Sequence, residues 1–288
     1  MLNRRHVIAS LSLLPFVGSF SWPARAGDNP EGLIQAIETR FGGRIGVSAL
    51  DTRNGHRIAW RADERFPMCS TFKVLAVGAL LAKIDRGQEQ LDRWVRYDSL
   101  PSFYAPVTRA HLAQHGMKLA DLAAAAIEWS DNGAANLILA DVGGPAGVTQ
   151  FVHGLGDTVT RLDRIEPMLN SSIPGDPRDT TSPRAMLESF RKLVTGDVLS
   201  PASRALLTGW LKDCQTAKHR IPAGLPAGWT SGDKTGTGAN GSANDVAIIW
   251  PPKRPPIFLS VYTTGAKSTD AAHDAVIADV AKIVTALI

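Results

Sequence analysis

The chain has 288 residues, enough for one large domain or two closely packed domains with a self-sufficient hydrophobic core. Its 44% hydrophobic and 20% charged residues exclude a disordered chain and a small disulfide-stapled one. The net charge of +4 comes from scattered basic residues without a dense Lys/Arg run, so we expect no nucleic-acid partner.

Residues 1–26 have the composition of an export signal. Arg4 and Arg5 precede an apolar stretch, and a small-x-small cleavage site ends at Ala26. The same segment resembles a twin-arginine signal, so the Sec and twin-arginine routes both stay open. No other apolar run approaches the roughly 20 residues that cross a bilayer. We expect an exported, periplasmic monomer that is free of the membrane after signal removal.

The first predicted elements after the signal are a helix and a hairpin. Pro30 favours the first turn of a helix that Gly42 ends. Two strands follow at 45–50 and 57–60, and an Asn-Gly turn at 54–55 joins them.

Helical patterns dominate between residues 67 and 211, where no convincing hairpin is found. The segment 71–84 is apolar around most of its circumference, which predicts a helix buried on nearly all sides. Further helices are predicted at 119–129, 132–141, 145–153, 183–193 and 201–212. The segment 161–179 contains three prolines and no period, so it is a loop whose length indicates a function.

Strands return near the carboxyl end of the chain. They are predicted at 230–237, 245–250 and 257–263, before a closing helix at 270–287. Two early and three late strands would each form a poor sheet alone, so we expect one antiparallel five-stranded sheet.

The expected fold is therefore α/β plus all-α, with a helix-flanked sheet formed from both chain termini and a large all-helical insertion. The predicted domains are a discontinuous α/β domain, 27–65 and 213–288, and an all-α domain, 66–212.

A serine and a lysine lie three residues apart at the start of the buried helix. Ser70 and Lys73 share one helix face, so the amine can reach the hydroxyl. A partly desolvated amine can lose its proton near neutral pH and activate a serine, and the helix N-terminus favours an oxyanion. The pattern alone is weak, because Ser189 and Lys192 repeat it on a predicted helix surface. We expect that second copy to be solvated.

Two further polar motifs have both structural and catalytic interpretations. Ser130, Asp131 and Asn132 can cap a helix through Asp131, or can supply a proton-shuttling hydroxyl and a carbonyl-binding amide. The stretch Lys234 to Thr237 can be an ordinary edge strand. Beside Ser70, however, its glycine would permit close approach and the Thr237 N–H could complete an oxyanion hole.

Together, these three motifs in this order resemble the penicillin-recognising serine enzymes. The stretch Glu166-Pro167-Met168-Leu169-Asn170 on the long loop further resembles class A β-lactamases. The resemblance covers residues 27–288. It implies the β-lactamase/transpeptidase-like fold, an active site between an α/β and an all-α domain, and hydrolysis of a small β-lactam, with resistance as the consequence.

The resemblance also implies individual roles. It makes Ser70 the nucleophile, Lys73 and Ser130 proton carriers, and Glu166 with Asn170 the holders of the hydrolytic water. Whether Lys73 or Glu166 is the acylation base stays open. The implied substrate-binding residues are Asn132, Lys234, Thr235, Thr237, Arg220 and Tyr104, the last at the entrance.

Arg220 is assigned to substrate binding because the sequence departs from the family pattern at another position. Many relatives supply an arginine from the strand after the Lys-Thr-Gly motif, but the matching stretch 241–245 has none. Members that lack it often carry one at the position of Arg220. The alternative is a solvated surface arginine.

The resemblance implies an ion pair between Arg164 and Asp179 across the neck of the long loop. The contribution of this pair to stability depends on how deeply it is buried.

We expect Cys69 and Cys214 to be thiols, although export favours a disulfide. Some family members bridge the first position to the residue after the strand motif, which is Gly238 here. Cys214 is predicted near the end of a different helix, with no obvious route to a bridge.

Two other functions share the three motifs. A cell-wall D-Ala-D-Ala peptidase, as in penicillin-binding proteins, would not need the deacylating Glu166. A β-lactam sensor domain stays acylated and normally follows transmembrane helices. No cofactor and no metal are expected, because the seven histidines show no ligand spacing.

Overall fold

The structure, a computed structural model, describes residues 29–288, so the export signal predicted for residues 1–26 lies outside the described residues. The helices are α1 (Pro30–Phe41), α2 (Phe72–Asp85), α3 (Pro106–Ala110), α4 (Leu119–Glu128), α5 (Asn132–Asp141), α6 (Gly144–Gly154), α7 (Pro183–Thr195), α8 (Pro201–Lys212) and α9 (Asp270–Leu287). The strands are β1 (Arg44–Asp51), β2 (Arg57–Trp60), β3 (Phe66–Pro67), β4 (Trp94–Arg96), β5 (Gly116–Lys118), β6 (Thr180–Thr181), β7 (Thr230–Gly238), β8 (Ser242–Trp250) and β9 (Ile257–Thr264).

The main sheet has five antiparallel strands in the order β2-β1-β9-β8-β7. Its two early strands join the three late ones where β1 pairs with β9, from Arg44 opposite Thr264 to Asp51 opposite Ile257. The predicted sheet formed from both ends of the chain is confirmed. One boundary was wrong, because β8 begins at Ser242 rather than at residue 245.

Alternate residues of β8 belong to two different hydrophobic clusters. Val246 and Ile248 pack in the cluster that surrounds α2, whereas Ala247 and Ile249 pack with α1 and α9. A strand places successive side chains on opposite faces, so helices cover both faces of the sheet. The predicted near-complete burial of α2 is confirmed, since its residues from Phe72 to Ala82 are all buried.

The segment between β2 and β7 is mainly helical, as the sequence patterns predicted, but it is not purely helical. It also contains β3 paired with β6, and β4 paired with β5. These strands are two or three residues long and have distant partners, so no alternating pattern marks them. In the part of the chain from residue 29 onward, no helix combines the length and apolarity needed to cross a membrane.

Candidate active site

Ser70 lies in a tight turn, Cys69–Thr71, that leads directly into α2. Cys69 has a left-handed φ of 45°, and Ser70 is only 8% exposed. One helical turn later, Lys73 donates a hydrogen bond from Nζ to Ser70 Oγ at 2.9 Å. The predicted sharing of one helix face is confirmed, and the hydroxyl and the amine are in direct contact.

Lys73 is fully buried and surrounded by oxygen atoms. Its Nζ donates to Asn132 Oδ1 at 2.6 Å and to the Ser130 carbonyl at 2.7 Å, and lies 3.0 Å from Glu166 Oε1. Burial lowers the pKa of Lys73, while the neighbouring Glu166 carboxylate acts in the opposite direction. The amine can therefore be neutral at a lower pH than a free lysine.

Ser130 lies between two buried lysines. Its Oγ accepts a hydrogen bond from Lys234 Nζ at 3.0 Å and a longer one from Lys73 Nζ at 3.4 Å. Lys234 Nζ also donates to the Thr235 carbonyl at 2.9 Å. Burial, together with the charges of Lys73 and Arg220, lowers the pKa of Lys234 to about 7. A hydroxyl in contact with both amines can pass a proton between them.

Asp131 caps α5, as its first interpretation predicted. Its carboxylate accepts from Ala134 N at 2.9 Å and also from the N–H and hydroxyl of Thr108. This fully buried anchor fixes the backbone between Ser130 and Asn132. The structural and catalytic interpretations of this motif are therefore compatible.

The long loop brings Glu166 to the nucleophile. Ser70 Oγ donates to Glu166 Oε1 at 3.2 Å, and Asn170 Nδ2 donates to Glu166 Oε2 at 2.5 Å. The Glu166 backbone is held by Asn136, whose amide donates to its carbonyl and accepts from its N–H, both at 3.0 Å. No motif in the sequence pointed to Asn136. Its position four residues after Asn132 on α5 is the signal that could have found it.

The neck of this loop is closed by the expected ion pair. Arg164 Nε lies 2.5 Å from Asp179 Oδ2, and the side chains are 17% and 1% exposed. Asp179 Oδ1 also accepts from the N–H groups of Asp163 and Arg164. Because the Asp179 carboxylate is buried, breaking this ion pair would cost more folding free energy than breaking an exposed surface pair.

Strand β7 passes close to the nucleophile turn at Gly236. A Cβ atom at that position would lie 2.8 Å from the Met68 carbonyl oxygen and 3.1 Å from Ser70 N. Only glycine permits this approach, which sets the end of β7 beside the Ser70 N–H. The exposed Thr237 follows directly in the strand.

Arg220 is buried, so the alternative of a solvated surface arginine is wrong. Its Nη1 donates to the carbonyls of Gly236 and Asn244, and its Nη2 donates to Thr237 Oγ1 at 2.7 Å. Its Nε pairs with Asp274 at 2.7 Å. These contacts place the guanidinium against the exposed end of β7.

The remaining predicted site residue, Tyr104, is 54% exposed, and its carbonyl accepts from Asn132 N at 3.1 Å. A cavity of about 660 Å³ opens beside Arg220, Thr237 and Gly238. Every predicted site residue therefore belongs to one contiguous cluster or borders it.

The second serine-lysine pair lies outside this cluster, and its predicted solvation was wrong for the serine. Ser189 is 1% exposed because it lies on the buried face of α7, where its Oγ donates to buried Asp157 at 3.0 Å. Lys192 Nζ donates to the Leu155 carbonyl. This pair has a structural role.

Both cysteines are thiols, as expected. Cys69 Sγ lies 3.6 Å from Ser172 Oγ. A Cβ atom at Gly238 would be 2.6 Å from Cys69 Sγ, so that glycine occupies the position of a bridging partner. Cys214 Sγ lies instead 3.4 Å from Thr216 Oγ1.

Comparisons with known proteins agree with this geometry. The family model described as "Beta-lactamase enzyme family" matches residues 29–288. The carbapenem-hydrolyzing beta-lactamase KPC of Klebsiella oxytoca is 46% identical, over 98% of this chain and 96% of its own. Beta-lactamase CTX-M-8 of Citrobacter amalonaticus is 45% identical, over 96% and 94%.

Solved structures lead to the same family. An ancestral class A beta-lactamase matches with a TM-score of 0.86 and 53% identity, covering 89% of this chain and 98% of that one. A structure titled as the putative class A beta-lactamase PenP of Rhodopseudomonas palustris gives the same values. The chain described above therefore belongs to the beta-lactamase enzyme family, as a class A serine beta-lactamase.

Proposed function

We propose that this enzyme hydrolyses the β-lactam amide of penicillins and cephalosporins through an ester on Ser70, and so confers resistance to them. The observation that carries the proposal is the contact of one serine hydroxyl with both an amine and a carboxylate, Lys73 at 2.9 Å and Glu166 at 3.2 Å. Acylation and deacylation each need a proton acceptor, and both are in place.

In acylation, Ser70 Oγ attacks the β-lactam carbonyl and loses its proton. Lys73 and Glu166 both lie within hydrogen-bond distance of that hydroxyl, so either can receive the proton. When the ring C–N bond breaks, the nitrogen takes a proton from Ser130 Oγ, which is replenished through Lys73. The approach of Gly236 to Ser70 N supports an oxyanion hole formed by the N–H groups of Ser70 and Thr237.

In deacylation, Glu166 accepts a proton from water as the water attacks the ester. The expelled Ser70 oxygen takes this proton back from Glu166, directly or through Lys73, since both contact it, and Glu166 is a carboxylate again. Asn170 contacts the other carboxylate oxygen, and both side chains would hold the water between them. Asn136 fixes the Glu166 backbone from both sides, which preserves the geometry of this step.

Substrate binding uses the residues along β7. Lys234, Thr235, Thr237 and Arg220 would receive the carboxylate that common β-lactams carry, and Asn132 would hold the substrate side-chain carbonyl. Tyr104, half exposed at the edge of the cluster, would line the entrance.

We also propose the domain boundaries and the location. The pairing of the early and late strands in one sheet supports an α/β domain of residues 27–65 and 213–288, and the mainly helical segment between them supports an all-α domain of residues 66–212. The pattern of residues 1–26 supports export to the periplasm, where the enzyme would act as a monomer. Size-exclusion chromatography with light scattering tests the monomer, and N-terminal sequencing of the exported protein tests the cleavage site.

The deciding experiment compares β-lactams with a cell-wall peptide. The purified protein is incubated with benzylpenicillin, a cephalosporin and a peptide ending in D-Ala-D-Ala, and products are followed by mass spectrometry. We expect multiple turnovers of both antibiotics and no cleavage of the peptide. Release of D-alanine from the peptide would favour the peptidase. One slow acylation by the antibiotics without turnover would favour the sensor. A carbapenem is included because the 46% identical relative carries carbapenem hydrolysis in its name.

A further inference from the structure

The turn between β7 and β8 contacts the long loop of the active site. Ala239 N donates to the Asn170 carbonyl at 2.9 Å. The Asn240 side chain donates from Nδ2 to the carbonyls of Ser171 and Ser172, both at 3.1 Å. Two consecutive residues of the turn therefore hold three consecutive carbonyls of the loop.

The backbone of Asn240 is itself fixed in the turn. Its φ of 53° lies in the left-handed region, which asparagine, aspartate and glycine adopt most readily. Its carbonyl accepts from Gly265 N at 2.8 Å, just after the end of β9. A side-chain amide has two N–H groups, so both contacts with the loop can be made at once.

The two residues proposed to hold the hydrolytic water are anchored to different parts of the fold. The Glu166 backbone is held by Asn136 on α5. The backbone at Asn170 is held by the β7–β8 turn, and the Asn170 side chain donates to Glu166 Oε2. Asn170 Oδ1 is buried and has no partner within residues 29–288, so it can accept from the water. The separation of Glu166 and Asn170 therefore depends on how firmly the turn holds the loop.

We propose that Asn240 is a positioning residue for deacylation: its amide holds the backbone at 170–172 so that Asn170 and Glu166 form one site for the hydrolytic water. This inference rests on the proposed function. Acylation depends less on the contact, because Ser70 Oγ also contacts Lys73, which α2 holds in place.

The test compares Asn240→Asp and Asn240→Gly with the wild type. Both replacements tolerate the left-handed backbone, but aspartate cannot donate and glycine has no side chain. In single-turnover reactions with benzylpenicillin, followed by rapid quench and intact mass, we expect the acyl-enzyme of both variants to decay about threefold to tenfold more slowly. The ratio kcat/KM should stay at the wild-type value, because it contains only the steps through acylation.

Asn54→Asp is the matched control. Asn54 is an exposed asparagine in the β1–β2 turn, and its Oδ1 accepts from His56 N at 2.9 Å, a contact that aspartate retains. This variant should keep the wild-type rate of deacylation.

Hydrogen-exchange mass spectrometry of the free enzymes reports the contact without substrate. In Asn240→Asp, amides at 168–172 should exchange faster than in the wild type, whereas those of α5 should not change. A purely local role in the turn would leave both regions unchanged.

Three results would overturn the inference. They are a wild-type rate of deacylation in Asn240→Asp, an equal loss in kcat/KM and in deacylation, and unchanged exchange at 168–172. A loss in kcat/KM would indicate that Asn240 contacts the substrate or supports the fold in general. Because exchange needs no substrate, failure of the proposed function, seen as a wild type that forms no acyl-enzyme, is distinguishable from failure of this inference.

Discussion

Replacing Arg220 by alanine should weaken the processing of every substrate that carries a free carboxylate. The guanidinium is buried and donates to Thr237 Oγ1 at 2.7 Å, at the exposed end of β7. A hydrogen bond to a charged group contributes about 1.5 to 3 kcal/mol. Because about 1.4 kcal/mol is a factor of ten, kcat/KM for benzylpenicillin should fall roughly 10- to 150-fold. Arg220→Lys should recover only part of this, since the planar fork is lost.

Steady-state kinetics with two substrates separate carboxylate binding from general damage. The loss should be large with benzylpenicillin and small with its methyl ester, which carries no carboxylate charge. Arg254→Ala is a matched control, because Arg254 is also partly buried and ion-paired, with Asp51 at 2.8 Å. It should lower stability without this substrate dependence. Equal losses with acid and ester in Arg220→Ala, or no loss with either, would refute the assignment.

Four other outcomes are expected. Glu166→Ala should accumulate an acyl-enzyme by intact mass, because ester hydrolysis loses its base; clearance at the wild-type rate would contradict the role. Asp179→Asn should lower the free energy of unfolding by about 3 kcal/mol in urea, because it breaks a buried ion pair. The kcat/KM for carboxylate substrates should decline as pH rises above about 7, where Lys234 loses its proton; a flat profile to about pH 9 would argue against this. Cys69 and Cys214 should both alkylate after denaturation without reductant, and a mass unchanged by alkylation would indicate a bridge.

The sequence patterns predicted the elements that have a strong local signature. The helix α2 was predictable because its residues are apolar on nearly all sides, and the Asn-Gly turn at 54–55 located the first hairpin. The start of β8 was missed because Ala243 and Asn244 belong to the sheet through pairing with both β7 and β9, which no local alternation indicates. The pair β4 and β5 was missed for a related reason, since its three-residue strands are joined only in the folded chain.

The contacts of the site also fall into two groups, those that local sequence spacing predicts and those that join distant segments. Ser70 and Lys73 are one helical turn apart, so their contact follows from helix geometry. Asp274, which pairs with Arg220 from a distant segment, leaves no local motif. Ser189 lies three residues after Met186 and four before Leu193 on α7, so helical spacing could have indicated its burial, whereas its partner Asp157, 32 residues earlier in the chain, leaves no local motif.

The proposed mechanism requires that the β-lactam ring is opened by a covalent bond to Ser70. Nitrocefin hydrolysis by the wild type and Ser70→Ala, with rapid-quench mass spectrometry and peptide mapping of the wild type, tests it most directly. We expect wild-type turnover, an adduct on the peptide that contains Ser70, and a loss of about a thousandfold or more in the variant. A wild-type enzyme that does not hydrolyse nitrocefin, or a Ser70→Ala variant that hydrolyses it at the wild-type rate, would rule out Ser70 as the nucleophile of this reaction.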